Sequence, residues 1–217
     1  MILVVRNEHD PEKTYHEEEL ANLFPDRIEW RYPHEGRPDL GEVDPDGVVL
    51  TGSTAGVYEA DDRPWIADQQ AWIRELVEEG VPTLGVCFGH QNVNAALGGR
   101  VEHRGMRNAI VEAELADDPL FSGLSPHVAA VHGDWVVERG EGMEVIASIE
   151  GYEAFGTRHR EAPVWTVQFH PECTERFRRV VAEAEGWDSL DGIGESNSTK
   201  LAENFRRIVR GLAGQRA

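Results

Sequence analysis

Residues 85–91, Gly-Val-Cys-Phe-Gly-His-Gln, carry the strongest chemical signal in the sequence. Cys87 has a glycine two positions before it and another two positions after it, and it stands between an apolar run at 82–87 and a helix-like run at 91–97. Small neighbours at a strand-to-helix junction allow a sharp turn that exposes the side chain beside the N–H groups of the helix start. The pattern predicts a nucleophilic cysteine rather than a buried core cysteine.

A second segment, residues 164–172, supplies the base that a nucleophilic thiol needs. Its β-branched and aromatic residues predict a strand through Phe169, followed by His170 and Glu172. Residues two apart on an extended backbone face the same side, so Glu172 can hold one ring nitrogen of His170 while the other deprotonates Cys87. We therefore predict a Cys87–His170–Glu172 triad. A histidine at a strand end is more often structural, and the spacing alone leaves that alternative open.

Together the two segments resemble those of the class I, triad-type glutamine amidotransferases, and the likeness extends from the first strand to about residue 172. Within that family the chain is most similar to the glutaminase domain of GMP synthase and its stand-alone relatives. Two further segments support this, Leu-Gly-Gly-Arg-Val at 97–101 and Val-His-Gly-Asp at 131–134.

The resemblance implies that L-glutamine is the substrate. Cys87 would attack the side-chain amide and His170 would pass the proton to ammonia, leaving a glutamyl thioester for water to hydrolyse. The resemblance implies no cofactor, and no Cys/His spacing in the sequence supports a zinc site. The family match also implies an oxyanion hole made by Phe88 with Gly52 or Ser53. It implies glutamine-binding roles for Gln91, His132, Gly133 and Asp134.

The chain departs from the GMP synthase pattern at three places. Gly-Ser-Thr at 52–54 stands where those enzymes usually carry Gly-Gly-Pro, Val131 stands where they have Ser, and residues 2–7 lack the Asp-x-Gly-x-Gln pattern. The loop that contains Gly52 instead resembles the stand-alone branch, which includes γ-glutamyl peptidases. Two functions follow from the resemblance: a glutaminase that supplies ammonia to a separate ATP-dependent synthetase, or a γ-glutamyl peptidase that needs no partner. The chain has no nucleotide-binding signature of its own.

Composition constrains the possible binding partners, the number of domains and the cellular compartment. A formal charge of −19 argues against nucleic-acid binding, and 217 residues fit one domain, 1–217. Lys13 and Lys200 are the only lysines, so the acidic surface suggests a halophilic, high-salt cytoplasm, with an ordinary acidic cytosolic protein as the alternative.

The sequence shows no signal peptide or membrane span, and two distant cysteines fit a reducing compartment, so we expect a cytoplasmic protein. Cys173 is a redox partner of the site or, more simply, a packing residue.

The elements that must position these residues alternate between β and α. They predict a flavodoxin-like, mostly parallel sheet with helices on both faces, plus an antiparallel ribbon built from 100–115 and 128–149. A helix at 14–24 should carry Glu17, Glu18 and Glu19 on a solvated face. Residues 173–217 are predicted to form a helical tail, interrupted by a flexible polar loop near 186–198.

Overall fold

The computed structural model describes residues 1–179 and 196–216. Strands and helices alternate through the first half of the chain, as the hydrophobic pattern predicts. In chain order the elements are β1 (Ile2–Arg6), α1 (Tyr15–Asn22), β2 (Arg27–Arg31), α2 (Tyr32–Glu35), α3 (Leu40–Val43), β3 (Gly47–Leu50), α4 (Pro64–Glu78), β4 (Thr83–Val86), α5 (Phe88–Ala96), β5 (Arg100–Glu112), β6 (Glu114–Leu115), β7 (His127–Glu138), β8 (Met143–Ile149), β9 (Tyr152–His159), β10 (Val164–Val167) and α6 (Lys200–Arg216).

Eight strands form one sheet in the order β2-β1-β3-β4-β10-β9-β8-β6. The first five in this order run parallel, and β9, β8 and β6 extend the sheet in antiparallel fashion. β5 and β7 pair separately as an antiparallel ribbon. The predicted mixed α/β architecture is therefore confirmed. Because the parallel strands end at the same edge, the loops that follow β1, β3, β4 and β10 meet there.

Alternate residues of the buried strands pack against helices on opposite faces of the sheet. Val4 of β1 belongs to the core that contains α1 and α6, whereas Val5 packs in the core that contains α2, α4 and α5. This two-sided burial explains why the parallel strands are continuously apolar. None of the helices in the described part of the chain is long and apolar enough to cross a membrane.

The antiparallel region differs in two respects from the prediction. The ribbon keeps β5 and β7, but β8 leaves it and pairs with β9 in the main sheet, and β6 pairs there with β8. The chain redirects at Gly142, whose φ of 76° lies in the left-handed region that favours glycine. The predicted loop at 186–198 lies outside the described residues except for its last three, and the predicted extent of the domain stays a prediction.

Burial of Glu17 contradicts the prediction of a solvated glutamate face on α1. Its side chain is 1% exposed and accepts a hydrogen bond from Arg6 Nε at 2.8 Å, whereas the Glu18 side chain is 52% exposed. Arg6 lies at the end of β1, is 8% exposed and contacts α1 through Glu17 and Glu18. A buried cation next to the helix therefore places Glu17 inside, because a charge is tolerated there only when it is paired.

Candidate active site

Cys87 occupies a strained turn between β4 and α5. Its φ of 52° and ψ of −105° are unusual for a residue with a side chain. The flanking glycines are required by close approach: a Cβ on Gly85 would lie 2.6 Å from the carbonyl oxygen of Gly89, and one on Gly89 would overlap the carbonyl oxygen of Leu50. The predicted elbow is present, and α5 begins at Phe88, directly after the cysteine.

His170 lies between two hydrogen-bond acceptors. Its Nδ1 is 2.6 Å from Oε1 of Glu172, and its Nε2 is 3.0 Å from the carbonyl oxygen of Val131. A carbonyl and a carboxylate both accept, so each ring nitrogen must carry a proton to satisfy them. The geometry thus favours the imidazolium form of His170.

The pKa of His170 agrees with this geometry. Burial alone would lower it, but the Glu172 carboxylate and the Cys87 thiolate reverse the effect and hold it well above its ordinary value. An imidazolium beside a thiolate is the arrangement that a cysteine nucleophile uses.

The backbone carbonyl of Val131, on β7, contacts both Cys87 and His170. It lies 3.9 Å from Sγ of Cys87 and accepts from His170. The backbone N–H of His170 in turn donates to the carbonyl of Ala129 at 3.0 Å, which fixes the histidine against β7. Because Val131 contributes a backbone oxygen, the departure from serine at this position leaves the contacting atom unchanged.

Three N–H groups near Cys87 are left without a partner. Among the residues that the structure describes, the backbone N–H groups of Gly52, Ser53 and Phe88 have no hydrogen-bond acceptor, whereas that of Gly89 donates to the carbonyl of Thr51 at 3.1 Å. The Gly89–Thr51 bond ties the start of α5 to the loop after β3. N–H groups that no protein acceptor engages, grouped beside a nucleophile, are available to an oxyanion.

The residues predicted to bind substrate lie together on the other side of Cys87. Nε2 of Gln91 donates to the backbone carbonyl of Asp134 at 3.1 Å and to Oε1 of Gln168 at 3.2 Å. Nδ1 of His132 donates to the same Asp134 carbonyl at 3.1 Å. Burial lowers the pKa of His132 to about 4, so its ring is neutral near pH 7. Gly133 lies between these two residues, against the ring of His103.

A cavity of about 340 Å³ lies at the carboxyl edge of the parallel strands, and most of the residues described above line it: Ser53, Cys87, Gln91, Val131, His132, Gly133, Asp134 and His170. Its wall also contains residues that sequence reasoning did not assign to the site: Tyr15, His16, Tyr58, His103, Met106 and Phe177. His103 could have been assigned to the site from the predicted ribbon. The antiparallel register places it opposite Asp134, and its Nδ1 lies 2.9 Å from Oδ1 of Asp134. In the described part of the chain, no group of three or more His, Cys, Asp or Glu side chains is arranged to hold a metal ion.

Comparison with known proteins agrees with this geometry. The profile of the glutamine amidotransferase class-I family matches residues 6–181, a span that includes every residue of the cavity named above. The chain belongs to this family. The predicted family, which rested mainly on two short motifs, is confirmed over most of the sequence.

This class-I glutamine amidotransferase has sequence relatives among GMP synthases. It is 30% identical over 194 residues to the glutamine-hydrolyzing GMP synthase of Thermosipho africanus, and 31% identical over 192 residues to that of Staphylococcus aureus. The alignments cover 82% and 81% of this chain but 36% of each relative. The chain therefore spans little more than a third of the length of these curated relatives.

Solved structures share the fold of this amidotransferase. A glutamine amidotransferase from Thermotoga maritima superposes with a TM-score of 0.75 at 20% identity, over 96% of both chains. A putative GMP synthase subunit from Thermoplasma acidophilum superposes with a TM-score of 0.64 at 22% identity, also over 96% of both chains. At these identities the likeness establishes the fold.

The amidotransferase offers a direct test of the His170–Glu172 pair. Replacing Glu172 by glutamine removes the carboxylate that raises the pKa of His170, so burial should then move that pKa downward. NMR titration of the histidine ring measures this, with the exposed His34 as an internal reference that should not move. An unchanged pKa of His170 in the folded Glu172→Gln variant would contradict the proposed pairing.

Proposed function

We propose that the protein hydrolyses the side-chain amide of L-glutamine with Cys87 as nucleophile, His170 as acid and base, and Glu172 as the group that orients His170. The observation that carries the proposal is the doubly hydrogen-bonded ring of His170 beside Cys87. This arrangement stabilises the thiolate and stores a proton at Nε2, where a leaving amine needs it.

The proposed reaction runs in two stages. The Cys87 thiolate adds to the amide carbon, and the oxygen becomes an oxyanion that receives hydrogen bonds from the free N–H groups of Gly52, Ser53 and Phe88. His170 donates its Nε2 proton to the departing nitrogen, so the C–N bond breaks and ammonia leaves. The now neutral His170 takes a proton from water, the hydroxide attacks the thioester, and glutamate is released from Cys87.

Gln91 would select the amino-acid end of the substrate. Its Nε2 is engaged by the carbonyl of Asp134 and by Gln168, which fixes the amide so that Oε1 is the atom available to a ligand. A carbonyl oxygen binds an ammonium group, so we assign Gln91 to the α-amino group of glutamine. His132 and Gly133 would complete this end of the site.

We further propose that the ammonia is passed to a separate ATP-dependent synthetase. Two observations support this: the chain matches 36% of the length of GMP synthases, and it shares the fold of a putative GMP synthase subunit. The part of those longer relatives that this chain does not match is where a synthetase activity would reside.

The cavity supports a second candidate, hydrolysis of larger γ-glutamyl amides. It extends past Cys87 to Tyr15, Met106 and Phe177, and its volume of about 340 Å³ falls in the range that holds drug-sized ligands. A substituent on the γ-nitrogen would find apolar contacts there.

Two product assays separate the candidates: ammonia is measured for glutamine, and p-nitroaniline absorbance for γ-glutamyl-p-nitroanilide. The protein is incubated with glutamine, alone and with an ATP-dependent GMP synthetase, and in parallel with γ-glutamyl-p-nitroanilide. We expect glutamine turnover that rises when the synthetase and its substrates are present. Faster turnover of the anilide, with no gain from the synthetase, would overturn the partner proposal in favour of the γ-glutamyl hydrolase. The absence of turnover on both substrates would contradict the proposed chemistry itself.

A further inference from the structure

The loop that would supply two oxyanion donors is held at both ends by residues that follow β1. At its start, the N–H of Asn7 donates to Oγ1 of Thr51 at 3.0 Å, and Nδ2 of Asn7 donates to the Thr51 carbonyl at 2.9 Å. At its end, Glu8 accepts from the N–H of Thr54 at 2.7 Å and from the Thr54 hydroxyl at 2.8 Å. Gly52 and Ser53, between these anchors, keep their N–H groups free.

Glu8 is buried, and its backbone is fixed by a hydrogen bond to Glu17. The residue is 3% exposed, and its backbone N–H donates to Oε2 of Glu17 at 2.9 Å. Glu17 in turn accepts from Arg6, so a series of hydrogen bonds joins Arg6, Glu17, the backbone of Glu8 and Thr54. Hydrogen bonds to a buried carboxylate are strong and directional, which makes the link between Glu8 and Thr54 a stiff one.

His16, on α1, fills the space between Glu8 and Gly52. Its Nε2 lies 3.8 Å from Oε2 of Glu8, and a Cβ built on Gly52 would lie 3.2 Å from its Cδ2. Burial lowers the pKa of His16, although the Glu8 carboxylate opposes this shift. The imidazole of His16 thus packs against the loop at Gly52, next to Cys87.

Thr54 is one of the positions at which the sequence departs from the GMP synthase pattern. Thr54 stands where a proline is usual, and a proline has no N–H to give to Glu8. Glu8 lies two residues after the end of β1. Thr54 and Glu8 come into contact because β1 and β3 are neighbours in the sheet.

We propose that Glu8 is a positioning residue for hydrolysis of the γ-glutamyl amide: by holding Thr54, it keeps the N–H groups of Gly52 and Ser53 aimed at the oxyanion. This inference rests on the proposed function, because it assigns a support to that oxyanion hole. A misplacement of about 1 Å in such donors costs on the order of 100-fold in rate.

The test replaces Glu8 by glutamine, which keeps the shape but can accept only one of the two bonds from Thr54. We expect kcat for glutamine to fall by about 10- to 100-fold, with a smaller change in KM. Inactivation by a chloroketone analogue of glutamine should slow by the same factor, because the thiolate first adds to its carbonyl. Alkylation by iodoacetamide, a direct displacement that forms no oxyanion, should keep its wild-type rate.

Glu18→Gln is the matched control. Glu18 also contacts Arg6 but not the loop, so this variant should retain wild-type kcat. Thr54→Val removes only the hydroxyl bond to Glu8 and should lower kcat by about 10-fold; it carries the test if Glu8→Gln does not fold. Wild-type kcat in folded Glu8→Gln and in Thr54→Val, or equal losses in the chloroketone and iodoacetamide rates, would overturn the inference. A wild-type protein that turns over neither glutamine nor γ-glutamyl-p-nitroanilide would instead overturn the proposed function, and this inference with it.

Discussion

Cys87→Ala is expected to lower kcat for glutamine by about 10⁶-fold while the protein stays folded. The thioester needs Sγ, and no other thiol can replace it: Cys173 is 3% exposed and packs with Ala129 and Phe177. Burial raises the pKa of the Cys173 thiol well above its ordinary value, so it stays protonated and unreactive. Ammonia release with a coupled assay, together with circular dichroism to confirm folding, measures the effect.

Stability of the Cys87 variants gives an independent readout. Cys87 is held at a φ of 52°, a conformation that costs a residue with a Cβ about 1–3 kcal/mol. Alanine keeps this strain and glycine releases it, so Cys87→Gly should be more stable than Cys87→Ala by about 1 kcal/mol or more, although both are inactive. The gain would show that the strain is maintained for the chemistry.

Cys173→Ala serves as the control for both measurements. It should retain wild-type turnover and lose about 1 kcal/mol of stability through lost packing. Substantial ammonia release by Cys87→Ala, or a Cys87→Gly variant no more stable than Cys87→Ala, would contradict the assignment of Cys87 as a strained nucleophile.

The reactive segments could be predicted from sequence because short-range rules determine them. Glycines around Cys87 imply a close turn, and a separation of two residues keeps His170 and Glu172 near each other. The predicted strand through Phe169 is wrong in its end: β10 stops at Val167, and a turn closed by the bond from Cys173 N–H to the His170 carbonyl, not an extended backbone, brings the two side chains together. The parallel sheet follows from the alternation of apolar strands and amphipathic helices. Each of these inferences depends on residues within a few positions of one another.

The missing parts of the site depend on partners that are distant in sequence. Amphipathic patterning counts Glu17 as a solvent-facing residue, because it carries no information on the buried Arg6 that pairs with it 11 residues away. The contact between Glu8 and Thr54 spans 46 residues and needs the neighbour relation of β1 and β3. The role of Val131 cannot be predicted from residue type, because it uses a backbone carbonyl.

Gly89→Ala is expected to damage both stability and turnover. A Cβ at this position would overlap the carbonyl oxygen of Leu50 and lie 2.9 Å from its Cβ. Leu50 ends β3, directly before the loop of Gly52, and neither the buried strand nor α5 can yield cheaply. We expect a loss of about 1–3 kcal/mol in the free energy of unfolding, measured by urea denaturation.

A glycine-to-alanine substitution at an open position of the chain should instead raise the free energy of unfolding. Gly211, on the exposed side of α6, has nothing within 4 Å of a built Cβ, so Gly211→Ala should raise the free energy of unfolding by about 0.5–1 kcal/mol. Because the methyl at Gly89 pushes α5 away from β3, it also shifts the N–H of Phe88 relative to that of Gly52. Turnover should therefore fall by about 100-fold in Gly89→Ala and stay at the wild-type rate in Gly211→Ala. Equal stabilities of the two variants, or full turnover by Gly89→Ala, would show that the elbow is not packed as closely as the structure has it.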